Sequence, residues 1–90
     1  MPLVSNPPPT YPTMLERARV GGRVVVEFRI DSTGAVELGS LQVVQSTNRL
    51  FTQAVRHVLP RLRFLPAHLG ARAVAVTVRQ PFEFRVASGL

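Results

Sequence analysis

The sequence predicts an α+β domain in which two helices pack on one face of a three-stranded antiparallel sheet. Residues 23–31 and 72–86 alternate apolar and other side chains, as half-buried strands do, and a complete amphipathic helical stripe lies between them. Ninety residues, 46% of them apolar, are enough for one small domain with a thin core. The predicted element order is helix, strand, strand, helix, strand (αββαβ).

The start of the chain is predicted to be an extended lead-in over residues 1–10. Pro7-Pro8-Pro9 fix φ at three successive positions and remove three backbone donors, so this stretch cannot begin a helix. The domain itself is predicted to span residues 11–87, and residues 88–90 form a tail.

The first helix is predicted directly after the lead-in. Thr13 and Glu16 have the Thr-x-x-Glu spacing of a capping box, and Gly21-Gly22 supply a stop after about two turns. Its inward side is predicted to contain Leu15 and Ala18, together with Met14 or Val20.

Two strands are predicted to follow as a hairpin. The first alternates cleanly, with Val24, Val26, Phe28 and Ile30 inward and Arg23, Glu27, Arg29 and Asp31 outward. Residues 31–34 have turn composition, with a glycine placed for a positive φ. The second strand, over residues 35–45, changes its apolar parity at Gly39-Ser40, where a β-bulge would restore the inward face.

The second helix is predicted to begin after an N-cap at Asn48. Its apolar positions follow the spacing i, i+3, i+4, i+7, i+8, i+11. They are Phe51, Ala54, Val55, Val58, Leu59 and Leu62. Pro60 falls in the last turn of this stripe, so the helix is expected to end or kink near Leu59.

The last strand, predicted over residues 72–86, is the most informative element. It is much longer than an ordinary strand of about 5 to 6 residues, so part of it should extend beyond its neighbours. Its inward parity is interrupted only by Gln80, and Pro81 lies on the other parity, where a missing N–H is tolerated at a sheet edge. The predicted spatial order is second, first, third strand, which leaves the last strand as an exposed edge.

Composition argues against several classes of function. All eleven basic residues are Arg and the net charge is +6, but they are spread along the chain rather than clustered as in a nucleic-acid footprint. Phe28, Phe82 and Phe84 lie on the predicted core parity and offer no stacking platform for bases. His57 and His68 have no third ligand at metal-binding spacing. No catalytic site, metal or cofactor is predicted, and no window resembles a membrane span.

Several motifs in order resemble the TonB C-terminal domain family. The first half of the resemblance consists of Tyr11-Pro12, the segment 19–30 and Gly34-Ala35-Val36. The second half consists of Phe51 with Ala54-Val55, the segment 61–66 and the segment 78–84. The resemblance covers residues 7–86, nearly the whole chain, and depends on order and spacing rather than on one motif.

This resemblance implies a non-catalytic energy-transducer domain of the Gram-negative periplasm. In that family the domain is tethered to the inner membrane, engages outer-membrane nutrient transporters, and is energised by inner-membrane proton-channel proteins. The short N-terminal box of the transporter adds as a strand to the last strand of the domain. The implied contact residues are Thr10, Tyr11, Pro12, Arg72, Ala73, Val74, Ala75, Val76, Thr77, Val78 and Arg79. The chain is expected to be an excised domain of a longer anchored protein or a product without the usual tether.

Other readings remain open from the residues alone. An exposed edge pairs with any available strand, so a homodimer formed by edge pairing is one alternative. A peptide-adaptor module of a larger protein is another, and an Arg-dependent nucleic-acid-binding domain is the least favoured. Tyr11-Pro12 also has a purely structural interpretation, in which the ring anchors the helix entry against Leu15 or the sheet.

Overall fold

The computed structural model describes residues 6–86. Residues 1–5 of the predicted lead-in, the predicted domain end at residue 87 and the predicted tail over residues 88–90 lie outside this range. The helices are α1 (Thr13–Arg17) and α2 (Arg49–Val58), and a 3-10 turn (Leu59–Arg61) follows α2. The strands are β1 (Gly22–Ile30), β2 (Val36–Ser46), β3 (Ala67–Leu69), β4 (Arg72–Val74) and β5 (Val76–Phe84).

The main sheet has the strand order β2-β1-β5, and both pairings are antiparallel. This confirms the predicted α+β class and the predicted order of second, first and last strand. The inward side chains of β1 are fully buried, as their parity predicted. They form one core with α2, the segment after it and the end of β5, and its largest fully buried side chains are Phe28, Phe51, Ile30 and Leu59.

The prediction of one continuous strand over residues 72–86 is wrong. Its partner β1 ends at Ile30, which pairs with Val76, so the residues before Val76 have no place in the β1 ladder. Residues 72–74 instead pair with β3 through a two-residue turn, in which Gly70 has φ +63°. Backbone groups that lose a long-range partner are satisfied by this local hairpin. The final strand itself ends at Phe84, two residues earlier than predicted.

Strand β2 is bulged in two places. One register shift lies opposite Phe28, which is where the parity change at Gly39-Ser40 predicted a bulge. There the Ser40 hydroxyl accepts the Arg29 N–H at 2.8 Å and replaces a missing ladder acceptor. Leu38 remains 50% exposed as a result, and a second shift leaves Val44 as an extra residue.

Helix α2 matches its prediction closely. The Asn48 side chain accepts the Leu50 N–H at 2.8 Å, which is the predicted N-cap. The buried stripe runs through Phe51, Val55, Val58, Leu59 and Leu62, with Ala54 half-buried. The α-helix ends at Val58 because Pro60 cannot continue its hydrogen-bond ladder.

Helix α1 is shorter than predicted and is capped differently. Its N-cap is Pro12 rather than Thr13, and no side chain caps it, so the predicted capping box does not form. Only Leu15 is buried; Ala18 and Val20 are exposed, as is Met14, which is 72% exposed. The helix ends at Arg17, and the chain turns away from it at Arg19, with φ +57°, before the glycines that were expected to stop it.

None of the helices in residues 6–86 is long and apolar enough to cross a membrane.

Candidate functional site

The direction of the backbone groups in β1 defines the free edge of the sheet. The Arg23 N–H donates to Thr47 Oγ1 at 3.0 Å, and the Arg23 carbonyl accepts the Thr47 N–H at 3.1 Å. Arg23 therefore faces the β2 side. Because backbone groups alternate between the two sides of a strand, the even-numbered residues of β1 face β5.

The register then assigns the outward groups of β5. Its pairing with β1 is unbroken from Gly22–Phe84 to Ile30–Val76, so the even residues of β5 bond to β1. The backbone groups of Thr77, Arg79, Pro81 and Glu83 point away from the sheet. Pro81 lies on this outward side, where its missing N–H removes no bond to β1. Among residues 6–86, β5 has no second strand partner.

The opposite edge of the sheet is less suited to pairing. Its strand, β2, carries both register shifts, and bulges twist an edge and interrupt the regular row of donors and acceptors. Strand β5 has no such shift over its nine paired residues. The regular, open edge of the described domain is therefore β5.

The solvent face of the sheet is covered by cross-strand ion pairs. They join Arg23 to Glu83 at 3.3 Å, Arg79 to Glu27 at 3.1 Å and Arg29 to Glu37 at 2.8 Å. Each pair links directly opposite residues, and all six side chains are partly exposed. Exposed pairs of this kind each contribute about 0.2 to 1 kcal/mol. The three pairs cancel, so the net charge of +6 comes from the other charged residues of the chain.

Tyr11 belongs to an aromatic cluster at the far end of β5. Its ring contacts Phe51 and Phe84 edge-on, with centroids 5.6 Å apart in both cases, and Phe51 stacks on Phe84 at 4.2 Å. Its hydroxyl donates to the Val20 carbonyl at 2.5 Å. These contacts support the structural interpretation of Tyr11 as an anchor against the sheet, because Phe84 belongs to β5.

The lead-in is fastened at a second point that sequence reasoning missed. The Asn6 amide donates to the Arg63 carbonyl at 2.8 Å and its oxygen accepts the Arg63 N–H, also at 2.8 Å. The side chain thereby bonds to Arg63 as a neighbouring strand would. The only sequence signal was a lone Asn before three prolines, which does not identify a partner 57 residues away.

The implied contact residues fall into two groups. Residues 72–79 run consecutively along β4, Ala75 and the start of β5. Tyr11, with its chain neighbours Thr10 and Pro12, packs on Phe84 at the other end of β5. At about 3.3 Å per residue that end is roughly 26 Å from Val76. One ligand would have to follow most of β5 to touch both groups.

The polar side chains of residues 6–86 form no metal-binding cluster. No three His, Asp or Glu side chains in this part of the chain lie close enough to hold a metal. Asp31 has a structural role, because its carboxylate accepts the Thr33 hydroxyl at 2.6 Å and the N–H groups of Thr33 and Ala35. These bonds, led by that of the Thr33 hydroxyl, lower the pKa of Asp31 below its usual value.

Within residues 6–86, the fold and the site define a small α+β domain whose main sheet has one regular, unpartnered strand edge. A family model described as Gram-negative bacterial TonB protein C-terminal matches residues 7–86. The chain is 35% identical over 80 residues to Protein TonB of Pseudomonas aeruginosa, a match that covers 88% of this chain and 23% of that protein. The solution NMR structure of the Pseudomonas aeruginosa TonB C-terminal domain superposes with a TM-score of 0.80 at 33% identity, covering 100% of this chain and 89% of that one.

The chain therefore belongs to the TonB C-terminal domain family. This confirms the family predicted from the motifs. The chain spans about a quarter of the length of the curated relative that it matches.

Proposed function

We propose that this domain binds an extended segment of an outer-membrane transporter by adding it as a strand to β5. The observation that supports the proposal is the row of outward backbone groups at Thr77, Arg79, Pro81 and Glu83 on a strand with no register shift. Strand addition uses main-chain hydrogen bonds, so it needs a regular edge more than particular side chains. Membership of the TonB family supplies the class of partner.

The geometry predicts weak binding by a short segment alone. Each main-chain hydrogen bond contributes about 0.5 to 1.5 kcal/mol net, and Pro81 offers no N–H to the incoming strand. The segment also loses conformational freedom when it becomes ordered. A second contact, near Tyr11 or on residues 72–74, would add to the affinity without changing the main-chain pairing.

In the whole protein, the domain would act as the receptor-binding end of a non-catalytic energy transducer in the periplasm. Inner-membrane proton-channel proteins would supply the energy. The membrane anchor would lie in a part of the protein outside this domain. A peptide-adaptor role within another protein uses the same edge. Genes for channel partners and a transporter beside this one would favour nutrient import.

A homodimer is the second candidate, because the same edge could pair with a second copy of β5. A nucleic-acid interface has less support. Phe28 and Phe84 are buried, and Phe82 is packed against the core, so these rings cannot stack on bases.

The test is an NMR titration of ¹⁵N-labelled protein with a synthetic peptide copying a transporter's N-terminal box. We expect the largest amide shifts at Thr77, Arg79 and Glu83. Shifts confined to α1 and α2 would contradict strand addition. Sedimentation of the free protein over a range of concentrations tests for the homodimer. In a homodimer the same amides of β5 would be paired before any peptide is added.

A further inference from the structure

A cleft lies on the helix side of β5, next to the free edge. Its volume is about 110 Å³. It is lined by Asn6, Pro7, Leu62, Phe64, Gln80 and Phe82. Four of these side chains are apolar, and the two from the lead-in form a wall that the Asn6–Arg63 hydrogen bonds hold in place.

The pleat of the sheet directs alternate side chains of an added strand to this cleft. In paired strands, residues at the same level point to the same face. Gln80 and Phe82 belong to the even parity of β5, which faces the core, whereas Arg79 and Pro81 face the solvent side. A residue added at the level of Gln80 or Phe82 would therefore place its side chain on the cleft side.

Gln80 is the one polar side chain on the inward parity of β5. Its amide makes a single 3.3 Å hydrogen bond, to the carbonyl of the adjacent Pro81. The side chain is half-buried at the border of a cleft whose other lining residues, apart from Asn6, are apolar. Apolar walls with a few polar groups at the border are typical of ligand sites.

We propose that this cleft is a side-chain subsite that receives one aliphatic residue of the segment added to β5. The inference rests on the proposed strand addition and adds a sequence requirement to it. An apolar cavity of about 150 Å³ accommodates benzene, so a cleft of this smaller size fits a Val, Leu or Ile side chain better than an aromatic ring. The ligand is thus an extended peptide with an aliphatic residue at one position facing the helices.

The test uses four acetylated and amidated peptides with the sequence Thr-Ser-Thr-X-Thr-Ser-Thr, in which X is Ala, Val, Leu or Phe. Dissociation constants come from ¹⁵N amide shifts of the full chain. We expect the Leu peptide to bind about tenfold more tightly than the Ala peptide, because burial of the additional methyl and methylene groups favours it. The Phe peptide should show no such gain. Shifts at Leu62 and Phe64 should accompany those at Thr77 and Arg79.

Three variants separate the cleft from the edge. Gln80→Phe fills the border of the cleft and should make the Leu and Ala peptides bind equally, while shifts at Thr77 and Arg79 persist. Gln53→Phe makes the same substitution at an exposed position of α2, outside both the cleft and the edge, and should keep the Leu preference. Pro7→Ala removes part of one wall without changing the sheet and should reduce the preference for Leu over Ala. This variant serves as the test if Gln80→Phe disturbs the fold.

The outcomes distinguish this inference from the proposed function. Equal affinities for Ala, Val and Leu, with shifts still at Thr77 and Arg79, overturn the subsite and leave strand addition intact. No shifts at those two amides with any peptide overturn both. Concentration-dependent shifts at Leu62 and Phe64 without peptide would show that a second copy of the chain occupies the cleft, which also overturns the subsite.

Discussion

The side chain of Asn6 is bonded to both backbone groups of Arg63, with donor–acceptor distances of 2.8 Å for each bond. The two residues are 57 positions apart, and their contact fastens the proline-containing lead-in to the segment that follows α2. Tyr11 provides the second attachment through Phe51 and Phe84. The lead-in is consequently part of the folded domain from residue 6 onward.

Asn6→Ala should destabilise the protein, because both bonds to Arg63 are lost. Each such bond contributes about 0.5 to 1.5 kcal/mol, so we expect a loss of about 1 to 3 kcal/mol. Urea unfolding measures this loss in the free energy of unfolding. Thr10→Ala, at an exposed position in the same segment, is the control and should be nearly neutral. Equal stabilities for both variants would mean that the Asn6 bonds contribute nothing.

Arg19→Gly should stabilise the protein by about 0.5 to 1 kcal/mol. Arg19 has φ +57° and ends α1 with the hydrogen bonds of a Schellman motif, from its own N–H to the Glu16 carbonyl and from Val20 N–H to the Leu15 carbonyl. Glycine adopts this conformation without the strain of a Cβ. Arg17→Gly, at the last residue of α1, is the matched control and should destabilise the protein by about 0.5 to 1 kcal/mol. Thermal unfolding that ranks the two variants in the opposite order contradicts the role of Arg19.

Gly34→Ala should destabilise the protein by at least about 2 kcal/mol. Gly34 has φ +91°, and an added Cβ would overlap the Phe64 carbonyl oxygen, which is backbone and cannot rotate away. Gly39→Ala provides the comparison, because nothing in the described structure lies within 4 Å of an added Cβ there. Chemical denaturation should show a large loss for the first and a small change for the second. Similar losses of stability in the two variants would mean that the contact of Gly34 with the Phe64 carbonyl is not the cause.

The lowered pKa of Asp31 predicts loss of stability in acid. Its hydrogen bonds from Thr33 and Ala35 favour the carboxylate, so the folded-state pKa lies below the unfolded value of about 3.9. The stabilisation is fully present above that unfolded value and disappears as the pH falls through the lower, folded value. Asp31→Asn should therefore flatten the decline in unfolding free energy below about pH 4. Glu16→Gln, outside the turn, is the control; if it flattens the decline equally, the turn is not the cause.

The local pattern of apolar and polar residues was sufficient to predict much of this fold. The inward parity of β1, the Asn48 cap and the stripe of α2 are all present as predicted. The bulge in β2 was also visible, because the apolar parity changes at Gly39-Ser40. Each of these features depends on neighbours within a few residues, so the spacing of apolar side chains records it.

The features that local pattern missed depend on contacts distant in sequence. The alternating run from residue 72 gives no sign that it divides at Ala75, because the division follows from where β1 ends. Likewise, Thr13-x-x-Glu16 satisfies a capping pattern, yet Pro12 is the N-cap. For the candidate site, the sequence indicated an edge strand with residues 72–79. The cleft beneath it was not foreseeable, since it joins the lead-in, the segment after α2 and β5.

The sequence by itself determined the class of fold, the family and the parity that places Pro81 on an outward position. Those properties follow from alternation and helical periodicity, which the chain carries locally. Only the tertiary structure decided which groups of β5 are free, which Glu faces each Arg across the sheet, and where Asn6 attaches the lead-in. Register and long-range hydrogen bonds are relations between distant segments, and they exist only once the chain has folded.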